Sequence, residues 1–392
     1  MPAKDLSKPK DRESELWGMG ALGGIFLLIA AAHLFSNRHL WEDEWYVYRN
    51  IGWHSYGRLF KVLDPVQSFP RIYLALIKYT AGLFHFSAVA LRFPSFLCMI
   101  GAAGLWIGIY RRELPSLSAR LTAGLLFVAS YRLTYYAAEL KPYSMDVLAA
   151  ALYALYFLRW KNPGAPAPRQ ELLWVVALPF LMFFSYAALI FAWIVPAHLL
   201  WKKFIRQQDA SLFFYAAVSF LAVSVCFYWI DLRFSITTPG LDYWHSYFVR
   251  VDSLGGFLSS FGEGAKRLAT AWWGTTKALP RAASPFVALA YYTLFRRGWN
   301  AFKANGFTVN RVESLGLLVF AALFVLGIFH KYPFTGERLT LFFAPFVCYY
   351  LAWALEDLRQ CRTMYCIMSA YTWGICLWAL MDEIGWYGRL YF

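Results

Sequence analysis

The chain has 392 residues, of which 60% are hydrophobic and 15% charged, with a formal net charge of +14 and a mean hydropathy of +0.44. A soluble domain carries about 25% charge and has no interior large enough for so much apolar surface, so a soluble globular fold and intrinsic disorder are both excluded. The expected solvent is a bilayer, and the Lys and Arg excess, spread between apolar runs, reads as topology signal and phosphate contact rather than a nucleic-acid surface.

A spanning helix needs about 20 residues. Residues 1–16 read as a cytoplasmic tail, and Trp17–Phe35 as a first helix that is retained rather than cleaved. Residues 36–92 form a long outer loop. Within it Pro70–Phe84 is apolar but short and interrupted by Lys78, which predicts an interfacial helix. Spans are expected at Phe93–Tyr110, Leu121–Ala138 and Met145–Leu158, then a linker at Asn162–Pro168. Leu172–Phe184, Ala187–Trp201 and Ser211–Ile230 follow; the first two read as separate spans or as one long kinked helix.

A second long outer loop covers residues 231–281, where Trp244, Tyr247, Phe248, Trp272 and Trp273 lie among polar groups and predict further interfacial helices. The last spans are Ala282–Phe295, Ser314–His330, Leu339–Leu355 and Met364–Met381. The expected fold class is an all-α polytopic membrane protein with about eleven transmembrane helices. Its parts are the tail 1–16, a transmembrane module over 17–230, the amphipathic loop 231–281 and C-terminal helices over 282–392. With the N-terminus inside, nineteen Lys or Arg fall on inner segments and five on short outer ones, which orients the chain. Neither the six cysteines nor the seven histidines show metal-ligand spacing.

Polar clusters gather on the outer side. Leu40–Asn50 (LWEDEWYVYRN) carries Glu42, Asp43 and Glu44 among aromatics. A carboxylate against such walls serves as a general base when an acceptor hydroxyl reaches it, or holds a divalent cation; the alternative is a solvated acidic turn. Tyr135–Asp146 (YYAAELKPYSMD) places Glu139 and Lys141 where the third span ends, either facing a cavity or as a local charge pair at a helix end. Asp146 lies deeper, where an acid must face protein or water. Arg338, in His330–Pro345 (HKYPFTGERLTLFFAP), has a fork suited to phosphate, or anchors at the interface. Arg71, with Asp64 upstream, reads as a further phosphate contact or a headgroup anchor.

The order of these motifs resembles the GT-C glycosyltransferases, in the bacterial branch similar to protein mannosyltransferases and the lipid A aminoarabinose transferase. The family's Asp-Glu of the first loop is Asp43-Glu44 here. Its "PPLYY" appears as Phe69-Pro70-Arg71-Ile72-Tyr73, with Arg71 for the second proline. "ALRLPS" appears as Ala90-Leu91-Arg92-Phe93-Pro94-Ser95, and "YSQEARPY" as Tyr136 to Tyr143, with Lys141 for Arg. "RY…P" appears as Arg338-Leu339, with Leu for Tyr. The likeness is good over residues 17–201 and thinner beyond, and no counterpart is seen of the soluble C-terminal domain found in many relatives.

The resemblance implies a GT-C-like fold and a sugar donor on a polyprenyl phosphate. The sugar would pass with inversion to a glycan, lipid or protein acceptor on the extracytoplasmic side of the cell membrane. Asp43 is implied as general base, with Glu44 second. Lys141, Arg338 and Arg71 would hold the departing phosphate, and Glu139, Tyr143 and Asp64 complete the substrate-binding set. No cofactor is expected, although Asp43, Glu44 and Glu139 leave a divalent cation open. The rival readings are a polytopic transporter or lipid flippase, which would be expected to show inverted repeats and mid-membrane charges, and a non-catalytic accessory subunit.

Overall fold

The computed structural model describes residues 9–36, 38–64, 67–159, 168–206, 211–235, 243–275, 278–304, 309 and 311–391. Residues 162–167 of the expected linker, residues 1–8 of the tail and residues 236–242 of the second loop lie outside these. Among the described residues there is no β-strand beyond one isolated bridge, Leu63 with Gln67.

The longer helices are α1 (Pro9–Phe35), α2 (Glu42–Trp53), α3 (Arg71–Gly82), α4 (Ala88–Glu113), α5 (Leu117–Val128), α6 (Tyr131–Ala137) and α7 (Tyr143–Leu158). They continue as α8 (Pro168–Ala177), α9 (Ile194–Arg206), α10 (Ser211–Phe227), α11 (Leu254–Thr270), α12 (Pro285–Ala304), α13 (Val312–Ile328), α14 (Ala344–Leu358) and α15 (Arg362–Tyr391). Every expected apolar run is therefore helical over most of its length. Among the described residues, five helical stretches are long and apolar enough to cross a membrane: Glu13–Phe35, Ala88–Glu113, Ser211–Ser235, Arg338–Leu358 and Arg362–Trp386. The fold is all-α and belongs in a membrane.

Small residues let the central helices close up. Ala149, Ala150, Ala151 and Ala154 of α7 are buried, and α7 packs chiefly on α4, as small side chains permit within a bilayer. Trp106 of α4 meets Phe346 of α14 edge-on, with centroids 4.9 Å apart, and Tyr110 donates to Pro345 O at 2.8 Å. At the end of the bundle where α1 starts, Glu15 holds Arg111 at 3.0 Å and Arg120 at 2.7 Å, tying α1, α4 and α5 together.

One expected span is broken, and one open alternative is decided. Leu121–Ala138 is divided between α5 and α6, because Ser130 is extended and its hydroxyl donates to Trp272 O at 3.2 Å. A 12-residue helix such as α5 rises only about 18 Å, so the break leaves α6 free to run at the other end of the bundle. Leu172–Phe184 and Ala187–Trp201 are not one long helix: Ser185 lies between them, accepting from Ala188 N at 3.1 Å. The expected interfacial segment Pro70–Phe84 is α3, which starts after Pro70 and buries Tyr73, Leu74, Ile77 and Ala81 while Leu76 and Tyr79 stay exposed.

Candidate active site

The acidic triplet opens α2, where the helix dipole favours negative charge. Consecutive helical residues point some 100° apart, so Asp43 and Glu44 face different surroundings. Asp43 lines a cavity of about 1160 Å³. Glu44 points into protein and is fully buried. Its carboxylate takes the Arg92 fork at 2.8 and 2.7 Å and accepts from Leu140 N at 2.9 Å. Glu44 thus holds the segment after α1, the start of α4 and the α6–α7 turn in one place.

Three further expected residues reach the same cavity. Lys141 comes from the turn between α6 and α7, Tyr143 from the first position of α7, and Arg338 from the 3-10 turn Arg338–Phe343 that leads into α14. Arg338 is ion-paired with Asp43, and Lys141 Nζ stands 4.0 Å from the same carboxylate. The Arg338 guanidinium lies over Trp41 and Trp244, 5.5 and 5.6 Å from the ring centroids. Trp244, from the second long loop, therefore shares the site. Another part of the cavity wall is apolar, with Leu189, Trp193, Phe220, Phe227, Leu318 and Val325, of which Leu189, Trp193 and Val325 are exposed.

Glu139 stands behind Lys141. It is fully buried, and its Oε1 accepts from Trp41 Nε1 at 2.8 Å. Burial first, and the nearby Glu44 charge second, push its carboxyl up to about 7. Burial pulls the Lys141 ammonium down to about 8, against the opposing pull of Asp43 and Glu139. An anion entering between Lys141 and Arg338 would stabilise the charged ammonium.

Arg71 and Asp64 do not join this group. Arg71 is fully buried outside the cavity lining; its backbone N–H donates to Asp231 Oδ2 at 2.6 Å, and its guanidinium has no hydrogen-bond partner among the described residues. Asp64 lies on the surface, paired with Arg58 at 2.8 Å and His54 at 3.6 Å. Among the described residues no three His, Cys, Asp or Glu side chains stand together as metal ligands, and the Glu44 oxygens are already committed to Arg92 and Leu140.

Sequence reasoning missed the partner of Arg92. The signal was there: an arginine in an apolar helix demands an acid. It also missed Gln67, which accepts from Lys141 Nζ at 2.8 Å; a neutral amide in a loop carries no such demand.

No family model matches the chain, and no curated protein matches it. Among solved structures, ArnT from Cupriavidus metallidurans, crystallised with undecaprenyl phosphate, is similar to it with a TM-score of 0.52 and 14% identity, covering 88% of this chain and 61% of ArnT. The chain thus spans about three fifths of the length of that protein. At this identity the likeness concerns architecture, and the architecture is that of a membrane protein with a GT-C-like fold.

Proposed function

We propose that this chain is a membrane glycosyltransferase that moves a sugar from a polyprenyl-phosphate donor to an acceptor hydroxyl or amine on the extracytoplasmic side, with inversion. The observation that carries the reading is the Asp43 carboxylate, which meets the Lys141 and Arg338 cations on the wall of a cavity that is apolar elsewhere along its lining. Asp43 takes the acceptor proton as the acceptor atom bonds to the anomeric carbon. The bond from that carbon to the phosphate oxygen breaks on the opposite face, and its electron pair leaves on the phosphate. Lys141 and Arg338 meet that growing charge, which lowers the barrier rather than merely tightening binding. The apolar wall takes the first units of the prenyl chain.

Without a donor, the cations neutralise Asp43 instead. An arriving phosphate competes for both, and a carboxylate stripped of its counter-charges is a stronger base. Donor binding and base activation are then one event.

The test is incubation of the purified chain with a panel of lipid-phosphate sugars and acceptors, followed by mass spectrometry. Glycosylated acceptor with free prenyl phosphate is expected; no product from any donor would sink the reading. Sidedness has its own check. Tyr243 is exposed beside the cavity. With the exposed Cys226, Cys361 and Cys366 changed to Ser, a Tyr243→Cys variant should react with an impermeant maleimide from the outside of intact cells. Labelling only after lysis would reverse the orientation.

A pH dependence follows from Lys141. Its ammonium, lowered to about 8 and faced by Asp43, Glu139, Glu44 and Arg338, must be charged to grip phosphate. Binding of undecaprenyl phosphate should hold below that pH and weaken as pH rises through it. Lys141→Arg, charged throughout, should flatten the decline; a decline of the same size in that variant would assign it to another group.

A further inference from the structure

We propose that a continuous polar wall of the cavity, running from Lys141 to Asp146, is the subsite for the donor's sugar ring, with Asp146 accepting hydrogen bonds from its hydroxyls. The proposal rests on the glycosyl-transfer reading above and names the part of the site that reads the sugar. The wall is linked residue by residue. Lys141 Nζ donates to Gln67 Oε1 at 2.8 Å, and the next residue, Ser68, donates to Ser235 O at 2.9 Å. The Ser235 and Tyr186 hydroxyls are 2.6 Å apart. Ser185, adjacent to Tyr186, donates to Asp146 Oδ1 at 2.6 Å. Gln67, Ser68, Ser235, Tyr186 and Asp146 all line the cavity.

Asp146 is the unusual member. It sits in the first turn of α7, about 6 Å along the helix from Pro142, and is 4% exposed. No Lys or Arg pairs with it among the described residues. An acid at this depth without a counter-ion is expensive, and Ser185 is the only side chain among the described residues that donates to it. Ala187 also donates a backbone hydrogen bond to it, so it helps hold the Ser185 turn, whose hydroxyl accepts from Ala188 N; a carboxylate keeps acceptor capacity beyond these two bonds. What a carboxyl supplies here, and an aliphatic side chain would not, is acceptor capacity facing the cavity.

Covalent geometry decides which part of the donor lies there. The sugar is bonded directly to the phosphate, so its ring must begin beside Lys141. The tail requires the apolar wall, which leaves the polar one for the ring. That wall is also braced from behind: Asp231 accepts from Tyr186 at 2.6 Å, from Ser235 at 3.0 Å and from Arg71 N at 2.6 Å. Side chains fixed in this way recognise a polyol with little ordering on binding.

The experiment compares undecaprenyl phosphate with undecaprenyl-phosphate-linked hexoses and pentoses, titrated against the full chain in nanodiscs by tryptophan fluorescence. At least one glycosylated lipid should bind the unmodified chain about ten-fold or more tighter than the bare lipid, because buried acceptors left unpaired penalise the smaller ligand. Asp146→Asn, and independently Tyr186→Phe, should reduce that ratio to within about two-fold while bare-lipid affinity holds. An unchanged ratio in both variants, or an unmodified chain that prefers no glycosylated lipid, overturns the subsite while leaving the phosphate site standing. Failure of the unmodified chain to bind the bare lipid removes the phosphate site, and the subsite with it.

Discussion

Asp43→Asn is expected to abolish detectable sugar transfer and, at the same time, to bind bare undecaprenyl phosphate more tightly. The first effect follows from the role of base proposed for it: losing a positioned proton acceptor costs roughly 10²–10⁴-fold in rate. The second follows from the ion pair. Asp43 holds Arg338 directly and Lys141 at 4.0 Å, so an incoming phosphate must displace one anion to reach two cations. Asparagine is isosteric and neutral, and removes that competition. The carboxylate is 20% exposed and its partner Arg338 16%, so screening trims the gain; about ten-fold in Kd, or 1.4 kcal/mol, is a reasonable size. Rate is read from product mass spectra and affinity from equilibrium titration of the bare lipid. Most losses of an active-site charge weaken both, so opposite directions in one variant form a distinctive signature. Full transfer activity would remove Asp43 as base. Unchanged affinity would mean that the phosphate and Asp43 do not share Arg338.

The contrast between Asp43 and Glu44 also marks how far sequence reasoning reaches. The helices were legible, because a bilayer demands long apolar runs and little else has that composition. The gap between Leu172–Phe184 and Ala187–Trp201 was legible as one of two alternatives. The break at Ser130 was not, since it depends on a distant partner, Trp272 O. The convergence of Asp43, Lys141 and Arg338 was legible from motif order and sidedness. Which neighbouring acid faces the cavity was not, because adjacent letters of a helix point to different places. Arg71 looked equivalent to Arg338 in the sequence, as a cation near an apolar helix start. The fold instead buries it in α3, behind the cavity wall. Asp64 looked like its companion and lies on the surface with Arg58.

The same geometry predicts that Glu44 matters more to the fold than to the chemistry. Glu44 and Arg92 are both nearly inaccessible, and removing one member of such a pair strands the other charge, at a cost of about 3–5 kcal/mol. Glu44→Ala strands the Arg92 guanidinium and the Leu140 N–H together. It should therefore lower the unfolding temperature in detergent far more than Asp43→Asn does. A hydrophobic exchange of both partners, Glu44→Met with Arg92→Met, should recover much of the loss, since no buried charge is then left alone. A catalytic role for Glu44 gives the opposite pattern: the double variant would be stable and dead, and Glu44→Gln would match Asp43→Asn in rate. If Glu44 is a brace, Glu44→Gln keeps an acceptor for Leu140 N. Lys141 stays in place, and measurable transfer survives at reduced stability. Stability and rate must be measured on the same preparations, because the turn that Glu44 holds carries Lys141, and a loosened turn lowers both.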